Sequence, residues 1–125
     1  MVYPLSITDL TVKMNATAEE RIIPFIIRYI NYVIETSTLD YHDGYTYISD
    51  EEIKSSLKIR DDWRGGWISG YVGGRVLLLA LRRYKKKGYR IFVRIKDGHV
   101  RALICWDVNS DTLDKLTEGT DYTEL

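Results

Sequence analysis

Residues 89–106 read YRIFVRIKDGHVRALICW. Two runs rich in Ile, Val, Phe and Leu flank Asp97-Gly98, and Asp-Gly is favoured at the centre of a two-residue type I′ turn because both central residues there carry positive φ. The stretch therefore predicts a β-hairpin. A two-residue turn also fixes the register. It sets Lys96 opposite His99, Ile95 opposite Val100, Arg94 opposite Arg101, Val93 opposite Ala102, Ile91 opposite Ile104, Arg90 opposite Cys105 and Tyr89 opposite Trp106. Side chains alternate across a strand, so one face is apolar from Tyr89 to Ile95 and from Val100 to Trp106. The other face carries Arg90, Arg94, Lys96, His99 and Arg101 around a single apolar pair, Phe92 and Leu103. Like charges directly opposite destabilise a sheet, so the Arg94/Arg101 pair asks for a compensating anion. A phosphate supplies one; so does a carboxylate from an acidic segment of the chain.

Working backwards from the hairpin, Val72, Val76, Leu77, Ala80, Leu81 and Tyr84 recur at helical spacing, and KKKG (85–88) suits a helix C-terminus. Leu78 and Leu79 fall outside that inward stripe. The helix is preceded by WRGGWISGYVGGR (63–75), where Gly65 to Gly70 spans the G-x-x-x-x-G of a phosphate loop. Tyr71 and Val72 stand where such a loop needs Lys and then Ser or Thr, and no strand–loop–helix unit surrounds the glycines, so no nucleotide is expected. Two readings stay open: glycines that let a helix N-terminus approach a phosphate, or glycines that let the helix pack closely, with Trp63 and Trp67 pinning the loop. Further upstream, SDEE (49–52) forms a capping box through Ser49 and Glu52 and opens a short helix with Ile53 and Leu57. YTYI (45–48) before it is a brief strand. TAEE (17–20) is a second capping box, leading into Ile22, Ile23, Ile26, Ile27, Ile30, Val33 and Ile34, with Pro24 inside that pattern. The first residues read as an extended arm or edge strand.

Net charge is zero over 125 residues, and a single cysteine is present. The zero conceals a segregation. Residues 1–62 carry 6 Lys/Arg against 11 Asp/Glu, residues 63–106 carry 11 against only Asp97, and residues 107–125 carry Lys115 against 6 acids. A focused basic block most often meets phosphates; the alternative is that the acidic ends fold over it and neutralise it. No apolar run reaches the ~20 residues of a membrane span and no signal-peptide pattern opens the chain, so a cytoplasmic protein without membrane association is expected. His42 between Asp40 and Asp43 offers only one imidazole and reads as a polar turn rather than a metal site. Cys105, within an apolar strand, reads as a small core residue rather than a nucleophile. Neither an enzyme nor a cofactor is expected.

Helix, strand, short capped helix, third helix and basic hairpin is the order carried by ISDEEIKSSL, VLLLALRRYKKKG and YRIFVRIKDGHVRAL, and it resembles the winged helix-turn-helix superfamily. The isoleucine-rich, cysteine-poor composition resembles that of small archaeal or archaeal-virus proteins. The resemblance implies an α+β fold of three helices with a C-terminal hairpin wing and a short strand between helices 1 and 2. It covers residues 18–106, leaving 1–17 as an arm and 107–125 as an acidic tail. Helix 3 is then the recognition helix and the hairpin the wing, and duplex DNA the partner, in transcriptional regulation, with Arg64, Tyr71, Arg75, Arg82, Lys86, Arg90, Arg94, Lys96, His99 and Arg101 as DNA-binding candidates. Two departures bear on base reading. The link between helices 2 and 3 is long, and Leu78 and Leu79 stand where a groove-facing helix is polar. Leu78 and Leu79 call for cover by the N-terminal arm or by a second copy, and a homodimer is expected. The alternative function is a protein–protein interaction module on the same scaffold, with no DNA binding.

Overall fold

The computed structural model describes the backbone of residues 7–40, 43–59, 68–84 and 88–125, with the side chains of all but 7–17, 37–40 and 58–59 of these. The described residues form α1 (Ile7–Asp40), β1 (Tyr45–Ser49), α2 (Asp50–Ile59), α3 (Gly74–Arg83), β2 (Arg90–Lys96), β3 (His99–Cys105), α4 (Ser110–Thr117) and β4 (Thr123–Glu124). The fold is α+β, with one antiparallel sheet in the order β1-β3-β2-β4.

The hairpin has the register expected from its turn, Lys96↔His99 through Arg90↔Cys105. Asp97 and Gly98 both carry positive φ, 53° and 79°, as a type I′ turn requires. β1 pairs with β3 along its whole length, from Tyr45↔Cys105 to Ser49↔Arg101, so the strand between the first two helices becomes an edge of the same sheet. One sheet face, with Ile48, Ile91, Val93, Val100, Ala102 and Ile104, packs into the main core against α1, α2 and α3. Ile95 shares that parity yet is 60% exposed, because it lies beside the turn.

α1 contributes Ile22, Ile26, Ile30 and Ile34, one stripe at four-residue spacing, together with Ile23. Its backbone differs from the expectation at its N-terminal end. Residues 7–17, expected as an extended arm, are helical, so the Thr17–Glu20 box lies within α1 rather than at its start. Pro24 is inside the helix and exposed, where water can meet the carbonyl that its missing N–H leaves unpaired. α2 starts at the predicted capping box, the Glu52 amide donating to Ser49 Oγ at 3.1 Å. α3 buries Val76, Leu77, Ala80 and Leu81, flanked by buried Val72 and Tyr84, as its periodicity predicts. It is tied to α1 by the Tyr84 hydroxyl donating to Asn31 Oδ1 at 2.9 Å and by Arg83 forking onto Glu20 at 3.2 and 3.4 Å.

Gly74 decides between the two readings of the glycine-rich stretch. A Cβ there would collide with the Gly98 carbonyl oxygen and lie 3.2 Å from Val100 Cγ2, so the first turn of α3 seats directly on the hairpin turn. Close packing, at least at this glycine, is what the missing side chain permits. Residues 63–67 of that stretch, with Trp63 and Trp67, lie outside the described residues.

Residues 107–125 form α4 and β4. Asn109 accepts from the Thr112 amide at 2.8 Å and caps α4. β4 pairs with the free edge of β2 through Phe92↔Glu124 and Val93↔Thr123. Val108, Leu113, Leu116 and Tyr122 cover Phe92, Leu103 and Cys105 on the sheet face turned away from the other helices. The sheet therefore separates a large core from a small one.

Candidate functional site

This two-sided sheet sorts the DNA-binding candidates into separate surfaces. Arg64 and Lys86 lie outside the described residues. On the α3 side, Tyr71 is half-buried and packs on the main core, as do Leu78 and Leu79. The surplus of apolar residues on α3 is thus taken up by the chain's own core, and the argument from Leu78 and Leu79 for a second subunit no longer holds. Arg75 Nε stands 3.7 Å from the Glu19 carboxylate, and Arg82 is exposed. Helix 3 presents arginines partly engaged by α1 rather than a continuous polar stripe.

The remaining five candidates share the outer sheet face, by strand alternation, with Phe92, Leu103 and Cys105. They are not equivalent. Arg90 is forked onto Glu124 at 2.7 and 3.0 Å, which raises its pKa and lowers that of Glu124, the side-chain hydrogen bond being the main cause in each. Arg94 and Arg101 face each other across β2 and β3, and each guanidinium stands over a tyrosine: Arg94 at 5.5 Å from the Tyr122 ring centre, Arg101 at 4.5 Å from that of Tyr47. The two rings are 6.3 Å apart. A cation over a ring face gains about 0.5–1 kcal/mol at an exposed site, comparable with the cross-strand repulsion it must offset. The acidic tail thus answers Arg94 with the Tyr122 ring and places its Glu124 carboxylate on Arg90, while β1 supplies the ring under Arg101. The ion pairs among the described residues involve Arg75, Arg83, Arg90 and His99; Arg94, Lys96 and Arg101 take part in none of them.

These three cations form one wall of a cleft of about 360 Å³ between the hairpin and the first turn of α2. Ser49, Glu51 and Glu52 form the facing wall, with His99 between the two. Asp50, only 3% exposed, fixes this geometry: its Oδ1 accepts from the Val100 amide at 2.8 Å and its Oδ2 from His99 Nδ1 at 2.9 Å. Glu51 Oε1 lies 3.4 Å from the same ring nitrogen. The His99 pKa is raised above the ordinary imidazole value, chiefly by the hydrogen bond to Asp50 and then by its charge, with Glu51 and Asp97 adding to it.

A larger cavity of about 530 Å³ lies between the end of α3 and β2, with Arg82 and the Arg90–Glu124 pair at its edge. Cys105 is buried, and burial pushes its thiol up to about 11, which leaves little thiolate at neutral pH. His42 lies outside the described residues. No helix among the described residues is long and apolar enough to cross a membrane. Comparison with known protein families, curated proteins and solved structures finds no match.

Four residues that shape the outer face escaped the sequence reading. Asp50 is visible there only as an acid in a capping box, and its reach to the hairpin depends on β1 delivering α2 to the end of β3. Tyr47, Tyr122 and Glu124 acquire roles only through strand pairing. For Glu124 and Tyr122 the signal is a four-residue run, DYTE, too short to read as a strand.

Proposed function

We propose that the protein is a winged-helix-like domain that binds the phosphate backbone of duplex DNA through the outer face of its hairpin. Arg94, Lys96 and Arg101 make the contact. One observation carries this reading: two arginines held directly opposite each other on tyrosine rings, with Lys96 two residues along the strand and no carboxylate ion-paired to any of the three among the described residues. A like-charge pair of this kind is poised for an anion, and arginine matches phosphate oxygens with two parallel donors. The winged-helix reading is supported by the element order and by β1 joining the hairpin as its third strand. The wing, not helix 3, is the principal contact in this proposal, since Tyr71 and Leu78 pack inward while Arg75 leans on Glu19. Contacts of this kind position a protein on DNA without reading sequence.

The test is binding of a fluorescein-labelled duplex followed by anisotropy across a salt series. Three phosphate contacts give a slope of log K against log salt of about −2.7, at about −0.9 per phosphate, and contacts from other basic residues steepen it. A flat response, or no binding at low salt, refutes the proposal and leaves the interaction module, for which exposed Ile95 beside the turn is the first surface to examine.

A further inference from the structure

We infer that His99 is a fourth phosphate-binding group of this face, engaged only as imidazolium, and that Asp50 is the residue that positions it. The inference rests on the phosphate-binding reading above and adds both a residue and a pH regime to it.

The geometry begins at Asp50. Its carboxylate is buried, and both oxygens are committed, one to the Val100 amide and one to His99 Nδ1. Asp50 therefore cannot swing away without stranding a strand amide. With a carboxylate as acceptor, Nδ1 carries the proton in either charge state, and the state of the ring is decided at Nε2. Neutral His99 presents a lone pair at Nε2, which repels a phosphate oxygen. Protonated His99 gains an N–H donor at Nε2 and a positive charge, and the residue lines the same cleft as Arg94, Lys96 and Arg101. One proton thus converts the group from opposing an anion to binding it.

Every charged group around the ring bears on that proton. From α2, Asp50 and Glu51 favour it by direct contact, and Glu52 lines the same cleft. From the turn, Asp97 favours it; from β2 and β3, Arg94, Lys96 and Arg101 line the same cleft, and desolvation of the ring is what opposes the proton. The contact at 2.9 Å to Asp50 dominates, and the proton is held more firmly than on a free imidazole. A phosphate seated between His99 and the three cations adds its own negative charge beside the ring, so binding and protonation reinforce each other by linkage.

Two measurements test this. The first compares wild type with His99→Gln by anisotropy of a labelled duplex over a salt series at pH 5.5 and pH 8.5; His42 is present in both proteins, so its contribution cancels. Wild type is expected to show a slope steeper by about 0.9 at the lower pH, one extra phosphate contact, and His99→Gln no such change. Equal pH dependence in the two proteins, with duplex binding intact, overturns the role of His99 while leaving the phosphate-binding reading in place. No binding by wild type at pH 5.5 and low salt overturns that reading itself. The second measurement needs no variant: titration of the His99 ring by NMR with and without duplex. The midpoint is expected to rise on adding duplex, and an unmoved midpoint in a protein that binds duplex overturns the inference. Asp50→Asn, which keeps an oxygen for the Val100 amide, is expected to lower the midpoint in the free protein, as a positioning carboxylate requires; an unchanged midpoint refutes the role of Asp50.

Discussion

Replacing both Arg94 and Arg101 with glutamine separates what these residues do for the fold from what they do for a ligand. Two effects on stability oppose each other. Each substitution removes a cation standing over a ring, at 5.5 Å for Arg94 and 4.5 Å for Arg101, a loss of about 0.5–1 kcal/mol apiece. The pair also relieves a direct cross-strand repulsion worth about 0.2–1 kcal/mol. Glutamine keeps an apolar stem over the tyrosines, so the net change is expected to lie within about 1.5 kcal/mol, a shift in Tm of roughly 8 °C at most for a domain of this size. Binding is affected far more. Two lost phosphate contacts flatten the salt slope by about 1.8, and near 0.1 M salt that corresponds to about 2.5 kcal/mol, or roughly 60-fold in affinity. The assay is a thermal melt alongside duplex anisotropy over the salt series. A variant that melts like wild type and binds with an unchanged slope refutes the assignment of the phosphate site. A variant that fails to fold shows instead that the pair is structural, and that the ring contacts are worth much more than exposed cation–π interactions supply.

Gly74→Ala is expected to lower stability by about 1–3 kcal/mol, because the new Cβ meets turn backbone at Gly98 rather than a side chain that can move aside, and the helix-propensity gain of at most about 1 kcal/mol does not offset it. An unchanged Tm would show that α3 does not seat on the turn. The His99–Asp50 contact gives a pH dependence of stability with a defined sign. The folded pKa is raised, so the contribution is full below the ordinary imidazole value of ~6.5 and is lost as pH rises through the higher folded value. The Tm advantage of wild type over His99→Gln should therefore shrink between pH 6 and pH 8.5, and a growing advantage contradicts the contact. Glu124→Gln releases Arg90 from an exposed ion pair worth at most about 1 kcal/mol, leaving Tm within a few degrees while steepening the duplex salt slope by up to about 0.9. The Glu124 pKa is depressed, so wild type loses this pair's stabilisation as pH falls through that depressed value, and the variant does not.

The hairpin was legible because a two-residue turn leaves no freedom: Asp97-Gly98 sets the register, and the register puts Arg94 against Arg101 without reference to the rest of the chain. The inward stripe of α3 and the Ser49 cap were legible for the same reason, being local patterns with one physical solution. The start of α1 was not. Thr17–Glu20 is a good cap by composition, yet nothing local forbids a helix from running through it, and α1 begins at Ile7. The tail was legible in its charge but not in its structure: six acids among residues 107–125 mark it as an acidic tail able to neutralise the basic block, while Asn109 ahead of Leu113 and Leu116 is a helix signal as clear as Ser49.

What no local pattern holds is which side of the sheet each helix covers, and the function turns on it. The winged-helix resemblance assembles helix 3 and the basic hairpin into one DNA surface. Strand parity and core packing set them apart: α3 joins Val93, Val100 and Ala102 on one face, while Arg94 and Arg101 project from the other beside Phe92 and Leu103. With a core on each side of the sheet, the exposed side of α3 and the Arg94/Arg101 face do not form one continuous surface. The tail sharpens the difference, since on the outer face Glu124 occupies Arg90 and Tyr122 carries Arg94. A basic face supported by a tyrosine from the tail and depleted of one arginine by the same tail is a surface whose charge the chain itself adjusts, and that adjustment is directed at the hairpin rather than the helix.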